Sequence, residues 1–333
     1  MGADNLQVRM RRRPVGMVDA DDFDLVRAPM PVPGPGQVLV RNTWLSLDPY
    51  QRTRMDAERT YVDPMQVGDL MPGGTVGVVV ESRADDVPVG ATVAGWLGWQ
   101  AFGVADRAAL RVIDPQAAPP STALGVLGMT GVTAHYGVVE IGRAKAGETV
   151  LVTAASGAVG SVAGQVAKIL GCRAVGVAGG ERKCRYVVEE LGFDACVDYK
   201  APGFEAALAA ATPGGVDVLF ENVGGPVMDA AIGRLNDFAR IAFCGNVSQY
   251  NETEPYGLRR VRDLLMRRVT LQAFVIADRR DHWPKALAEL GAWYRDGQLR
   301  GREDAVDGLE NAPAGFVRML TGGNLGKQLV RLH

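Results

Sequence analysis

Ala155-x-Gly157-x-x-Gly160, followed by Gly164, is the stretch whose residue types and spacing could do chemistry. Ahead of it, Thr149 to Thr153 is a short β-branched apolar run, and from Val159 onward small and apolar residues recur at helical spacing (Val159, Val162, Ala163, Val166, Ala167, Leu170). The period changes from strand to helix across Ser156-Gly157, and a turn that tight needs residues without a side chain. Such a turn lets backbone N–H groups and the positive end of a helix dipole meet a pyrophosphate. The chemistry it would serve is dinucleotide binding. The alternative is a glycine-rich helix start that packs closely on a sheet and holds no ligand.

A second strand candidate, residues 174–178, follows at the separation a βαβ unit requires and ends in Gly179-Gly180. An acid at this strand end would take a ribose 2′-hydroxyl, whereas a cation would meet a 2′-phosphate. The tip itself carries no acid, and Glu181-Arg182-Lys183 comes just after it. Arg182 and Lys183 favour a 2′-phosphate and hence NADP(H), with Glu181 counting the other way. The competing reading makes the two cations the solvated first turn of the next helix.

These residues must be positioned by a larger frame. At 333 residues the chain suggests two domains, and 47% hydrophobic with 22% charged residues is ordinary for a globular enzyme. A net charge of -2 gives no electrostatic reason to expect nucleic acid or an anionic membrane as a partner. The run at residues 9–13 (Arg9-Met10-Arg11-Arg12-Arg13) reads as an exposed β-edge rather than a targeting signal, because no apolar segment of secretory length follows it. Cys172, Cys184, Cys196 and Cys244 lack CxxC spacing, which suits reduced thiols and a cytoplasmic protein. Neither they nor His135, His282 and His333 form a cluster in sequence, so no metal is expected.

Up to about residue 120 the chain alternates short β-like runs (38–42, 76–80, 92–96) with Pro and Gly breaks, the pattern of an irregular, mostly antiparallel β-domain. Within it, Asp48-Pro49-Tyr50 favours a turn. Tyr50 would then stand at a cleft rim, or pack its ring inward while Asp48 caps the turn. Residues 123–138 read as a small-residue helical segment. Beyond the second strand, further strands are expected at 195–199, 216–221, 240–244 and 270–276, with an amphipathic helix over 283–293 and a strand, short helix and strand in the tail. Strands alternating with helices give a doubly wound parallel α/β sheet. Ligand-facing positions then fall at the strands' carboxyl ends: Tyr199, residues 222–225 and residues 245–248.

The order of parts resembles the zinc-less branch of the medium-chain dehydrogenase/reductase superfamily, and within it the prostaglandin reductase/alkenal double-bond reductase family. The resemblance spans nearly the whole chain. It is carried by Asp48-Pro49-Tyr50, residues 155–162, Leu191-Gly192-Phe193-Asp194, Glu221-Asn222-Val223-Gly224-Gly225, Cys244-Gly245 ahead of Tyr250-Asn251, and Asn324-Leu325-Gly326-Lys327. It implies a GroES-like β-domain (1–122 and 302–333) with a Rossmann domain (123–301), a homodimer, and NADPH-dependent reduction of the carbon–carbon double bond of α,β-unsaturated aldehydes and ketones. Carried over, Gly157, Ala158, Val159 and Gly160 resemble the pyrophosphate turn, Lys183 and Tyr199 the 2′-phosphate contacts, and Asn222 and Asn324 cofactor-binding asparagines. Cys244, Gly245, Asn246, Val247 and Ser248, leading to Tyr250, resemble the loop beside the nicotinamide ribose; Phe274, Val275 and Ile276 resemble the strand end whose backbone meets the carboxamide. Ser156, residues 246–249 and residues 252–258 depart from the family pattern.

In such an enzyme hydride attacks the β-carbon and charge moves to the carbonyl oxygen, so a donor aimed at that oxygen stabilises the transition state. Tyr250 is the candidate donor, against the reading of a loop tyrosine that only packs. Tyr50, Trp96 and Trp99 are candidate apolar walls of the substrate pocket. A quinone reductase on the same fold, or an NADPH-binding sensor without turnover, remain the rival readings.

Overall fold

Strand-forming runs separated by tight breaks pair antiparallel, whereas runs separated by a helix pair in parallel. The computed structural model, which describes residues 4–333, shows one of each in two compact units. One unit comprises the chain up to Leu124 with Glu303–Asn324 and Gln328–His333; the other is Gly125–Arg302 with Leu325–Lys327.

In the first unit β1 (Asp4–Met10) and β2 (Phe23–Pro29) form an antiparallel ribbon. Then come β3 (Gln37–Ser46), the short helix α1 (Tyr50–Arg54), β4 (Thr75–Ser82), β5 (Thr92–Gly95), β6 (Phe102–Asp106) and β7 (Arg111–Val112). The long β3 is central: β4 and β6 both pair with it antiparallel, and β5 links β4 to β7. The run at residues 9–13 is not an exposed edge as a whole. Met10 is fully buried, Arg12 pairs with Asp22 at 2.6 Å, and Arg13 donates to the carbonyls of Met55, Asp56 and Met65. Those arginines tie internal loops together.

The second unit opens with α2 (Met129–Tyr136) and a single π-helical turn, Gly137–Ile141. A Cβ at Gly137 would stand 2.4 Å from the Phe220 ring, so only glycine lets this turn lie against the sheet. The chain then alternates: β8 (Thr149–Thr153), α3 (Gly160–Ile169), β9 (Arg173–Ala178), α4 (Glu181–Glu189), β10 (Ala195–Asp198), α5 (Phe204–Ala211), β11 (Val216–Glu221), α6 (Gly225–Ile232), β12 (Leu235–Phe243), α7 (Val261–Met266), β13 (Thr270–Ala273) and α8 (Trp283–Arg295). The six strands run parallel in the order β10-β9-β8-β11-β12-β13. Renumbered within the sheet this is 3-2-1-4-5-6, the doubly wound order, with its switch point between β8 and β11. Central strands are apolar on both faces, as a sheet covered by helices requires: Val150, Leu151, Val152, Val218, Leu219 and Phe220 are all fully buried. The last strand is shorter than its apolar run suggested, because a 3₁₀ turn takes over at Ile276–Asp278.

The tail adds β14 (Glu303–Asp307), α9 (Ala312–Leu320) and β15 (Lys327–Arg331), the last pairing with β3. Residues 325–327 group instead with the parallel unit, where the Gly326 N–H donates to the Ser156 carbonyl at 3.0 Å. Among the described residues no helix is long and apolar enough to cross a membrane.

Candidate active site

The turn after β8 is built by backbone crowding. Ala154 adopts a left-handed conformation (φ 51°), which reverses the chain before the glycines. A Cβ at Gly160 would lie 2.3 Å from the Ala154 carbonyl oxygen and 3.0 Å from the Ala155 Cα, so the helix can start here only without a side chain. One turn on, a Cβ at Gly164 would enter the Phe193 ring at 1.8 Å; α3 is thereby drawn tightly onto the sheet. The N-terminus of α3 has no side-chain cap. Among the described residues, the N–H groups of Ala158, Val159 and Gly160 donate to no protein group. Unused donors at the positive end of a buried helix make an anion site. The far side of the turn is closed by the parallel bridge between Gly157 and Gly326, two residues beyond Asn324.

At the tip of β9 the acids are engaged elsewhere. Glu181 pairs with Arg185 one helical turn along, at 3.0 Å. The Asp198 carboxylate accepts from the backbone N–H groups of Gly180 (2.8 Å) and Lys200 (2.9 Å). Lys183 lies in the first turn of α4, its N–H donating to the Gly180 carbonyl at 3.1 Å. Tyr199 is half exposed, and a Cβ at Gly179 would stand 2.9 Å from its ring. Lys200, which the spacing did not single out, holds its ammonium 5.8 Å from the centre of the Tyr199 ring. Lys200, Tyr199 and the first turn of α4 with Lys183 stand near a tip whose two acids each have a partner within the fold, an arrangement compatible with a 2′-phosphate.

The ends of β8, β11 and β12 interlock. The Asn222 amide donates to the Thr153 carbonyl at 2.8 Å, and the Val247 and Ser248 N–H groups donate to the Asn222 and Val223 carbonyls at 3.1 and 3.0 Å. Gly224 and Gly225 are both left-handed (φ 74° and 58°), and a Cβ at Gly224 would sit 1.7 Å from the Asn246 side-chain oxygen. Tyr250 follows the 3₁₀ turn Val247–Gln249, and its hydroxyl folds back over this loop, 3.5 Å from the Asn246 N–H. Burial, with the Glu221 carboxyl next, pushes the Cys244 thiol up to about 12, so it is no nucleophile at neutral pH. Beyond β13, the Phe274 N–H donates to the Phe243 carbonyl at 3.3 Å, and its ring rests against Tyr136 (5.4 Å) and Phe220 (6.5 Å). Val275 and Ile276 lead into the 3₁₀ turn.

The predicted cofactor positions from 157 to 276 therefore gather at the carboxyl ends of one sheet. Asn324, Tyr50, Trp96 and Trp99 belong to the other unit. There Tyr50 meets Trp96 edge to face at 6.2 Å, Trp96 is 56% exposed, and burial, then Asp48, raises the Tyr50 phenol far above its usual range. The Asp48 carboxylate accepts from the Ser46 hydroxyl, and Pro49 stands at the N-cap of α1. Trp99 corrects the expectation of a pocket wall: it is fully buried, stacked on Phe23 at 5.6 Å and edge-on to Phe316 at 5.5 Å, so it is a core residue.

Two features escaped the sequence reading. Glu221, at the end of β11, is fully buried. His135 and His282, 147 residues apart, share a hydrogen bond at 2.9 Å, with Glu289 at 2.8 Å on the outer nitrogen of His135. Each histidine spends a nitrogen on the other, and among the described residues no three His, Cys, Asp or Glu side chains form a group that could hold a metal.

A glycine turn at the first strand of a 3-2-1-4-5-6 sheet, joined to an antiparallel unit, defines the two-unit architecture of a nicotinamide-dependent oxidoreductase. Residues 6–113 match the family described as the N-terminal domain of oxidoreductase, and residues 158–292 the family described as zinc-binding dehydrogenase. The chain is 45% identical over 326 residues to the NADPH-dependent curcumin reductase of Escherichia coli (strain K12), covering 96% of this chain and 94% of that one. It is 39% identical over 320 residues to prostaglandin reductase 1 of Mus musculus, covering 93% and 94%. The crystal structure of CurA from Vibrio vulnificus in complex with NADPH superposes with a TM-score of 0.94 at 42% identity, over 98% of this chain and 99% of that one. The chain belongs to the zinc-less medium-chain dehydrogenase/reductases, in the family of prostaglandin and alkenal double-bond reductases.

Proposed function

We propose that this protein uses NADPH to reduce the carbon–carbon double bond of α,β-unsaturated aldehydes and ketones. The observation that carries the cofactor is the crowded glycine turn, where the N–H groups of Ala158, Val159 and Gly160 donate to no protein group among the described residues. Those N–H groups would hold the pyrophosphate, and Lys183 with Tyr199, joined by Lys200, the 2′-phosphate. Asn222, Asn324, the loop from Cys244 to Ser248 and the backbone of Phe274, Val275 and Ile276 would orient the nicotinamide half. NADPH supplies the hydride. The Tyr250 hydroxyl would donate to the substrate's carbonyl oxygen, where negative charge develops once the β-carbon accepts that hydride, and water would then protonate the α-carbon of the enolate. Tyr50 and Trp96 would supply apolar surface for the substrate. The relatives named as an NADPH-dependent curcumin reductase and as a prostaglandin reductase support this reading.

We further read the protein as a cytoplasmic homodimer. Four free cysteines fit a reducing compartment. β13 is an exposed edge strand, and Val261, Leu265, Met266 and Leu271 around it are 43–71% exposed, an apolar edge that a second copy would cover. Initial rates of NADPH oxidation with short alkenals, aryl enones, keto-prostanoids and quinones test the activity. Turnover of enones but not quinones is expected; quinone turnover alone, or tight NADPH binding without turnover of either, refutes the reading.

A further inference from the structure

Glu221 is a carboxylic acid with no exposed surface, at the switch point of the sheet, and the roles assigned above do not use it. Burying a carboxyl is costly unless its bonds serve something. Its Oε1 accepts from the Val223 N–H at 2.6 Å, the Gly224 N–H at 2.7 Å and the Thr153 hydroxyl at 3.0 Å. That hydroxyl in turn accepts the Asn222 N–H at 2.8 Å. The backbone carbonyl of Glu221 accepts from Cys244 at 2.8 Å and Gly245 at 3.1 Å. One residue thus ties the ends of β8, β11 and β12, and its side chain folds the left-handed Gly224-Gly225 turn that receives the loop carrying Asn246 and Tyr250. Its second oxygen, Oε2, is buried without a hydrogen-bond partner.

We infer that Glu221 is a positioning residue for the nicotinamide half of the cofactor, holding Asn222 and the Cys244-to-Tyr250 loop in register through its ionised carboxylate. The inference rests on the cofactor reading above. Burial pushes the Glu221 carboxyl up to about 7, against the bonds from Gly224, Val223 and Thr153 that favour its ionised form. The groups facing it are the Thr153 hydroxyl from β8, the Val223, Gly224 and Asn222 N–H groups beyond β11 and the Cys244 thiol after β12. Ionisation would strengthen all three bonds to Oε1 at once, since a charged acceptor binds N–H and O–H donors about twice as strongly as a neutral one. The grip on the loops therefore tightens as pH rises through neutrality.

The test is NADPH affinity of the full-length protein, followed by cofactor fluorescence from pH 6 to 8.5, in the parent, Glu221→Gln and Thr153→Val. Gln keeps the acceptor oxygen and the volume but cannot ionise, and Val keeps the shape of Thr153 without its hydroxyl. The expected result is that parent affinity rises on the order of fivefold or more from low to high pH, as for a gain of about 1 kcal/mol in a charge-assisted bond. Glu221→Gln should stay flat near the parent's low-pH value, and Thr153→Val should keep a reduced slope. A parent slope that is flat or falling, or one that persists in Glu221→Gln, overturns the inference, the falling case because it marks plain repulsion of an anionic cofactor. A parent that binds no NADPH at any pH instead overturns the cofactor reading, and this inference with it.

Discussion

Adding one methyl group at Gly160 should do more damage than adding the same group at Gly157, although both glycines belong to one motif. At Gly160 the new Cβ meets the Ala154 oxygen at 2.3 Å, the Ala154 carbonyl carbon at 2.9 Å and the Ala155 Cα at 3.0 Å. All three are backbone atoms of a turn already held left-handed at Ala154, so no side chain can swing aside. At Gly157 the Cβ meets a single atom, the Ala154 oxygen, at 3.2 Å, and a shift of a few tenths of an ångström relieves it. Overpacking a rigid site costs about 1–3 kcal/mol, while Gly→Ala recovers about 0.4–1 kcal/mol through the unfolded chain. Gly160→Ala should therefore lose about 1–2 kcal/mol net and Gly157→Ala should be close to neutral. For a unit of this size that corresponds to a Tm fall of about 2–4 °C per kcal/mol in the first variant. Because the displaced backbone carries the N–H groups that would hold phosphate, Gly160→Ala should also weaken NADPH on the order of tenfold, the equivalent of one charge-assisted hydrogen bond. Thermal unfolding without cofactor and NADPH titration read the two effects separately. Equal Tm values for the two variants, with NADPH affinity intact in both, would refute the claim that backbone crowding builds this site.

Lys183→Ala should narrow the preference for NADPH over NADH by about 1–3 kcal/mol, read by titrating both cofactors; no change would move the 2′-phosphate contact to Lys200. Tyr250→Phe should slow single-turnover hydride transfer to an enone by up to about 2.7–4 kcal/mol in barrier with NADPH affinity nearly intact, and an unchanged rate would make Tyr250 a packing residue. Burial first, then His135, holds His282 below its ordinary value, so the folded protein binds fewer protons there than the unfolded chain. Stability from this site should be lost as pH falls below about 6.5, and His282→Gln should show a shallower fall in Tm between pH 7 and 5.

The parallel unit was legible because its signals are local: apolar runs of strand length, helical spacing after glycines, and glycines or polar residues where each strand stops. What escaped was whatever depends on contacts between distant residues. His135 and His282 carry no shared spacing, and only the packing of α2 against the start of α8 brings their rings together. Trp96 and Trp99 look equivalent in an irregular stretch after β5, yet one is 56% exposed and the other fully buried, because only Trp99 meets Phe23 and Phe316. Glu221 did offer a clue, an acid closing the apolar run Val218-Leu219-Phe220 directly before Asn-Val-Gly-Gly. Periodicity cannot tell a solvated strand end from a buried carboxyl collecting N–H groups.

The tip of β9 shows the same limit in a form that bears on cofactor choice. Judged by position alone, Glu181 and Asp198 are carboxylates near the point where a ribose 2′-hydroxyl would be read, and either would argue for NADH. Each has a partner within its own fold: Glu181 meets Arg185 on the solvent side of α4, and one oxygen of Asp198 accepts from two backbone N–H groups that shape the loop to Lys200. An acid that already accepts from backbone donors has fewer lone pairs left to offer a hydroxyl. On the proposed reading, a preference for phosphate at this tip would draw on the engagement of the acids as well as on Lys183, Tyr199 and Lys200. By that reasoning, releasing Glu181 through Arg185→Ala should erode NADPH preference although Arg185 itself contacts no phosphate, and an unchanged NADPH/NADH ratio in that variant would leave the cations as the sole determinant.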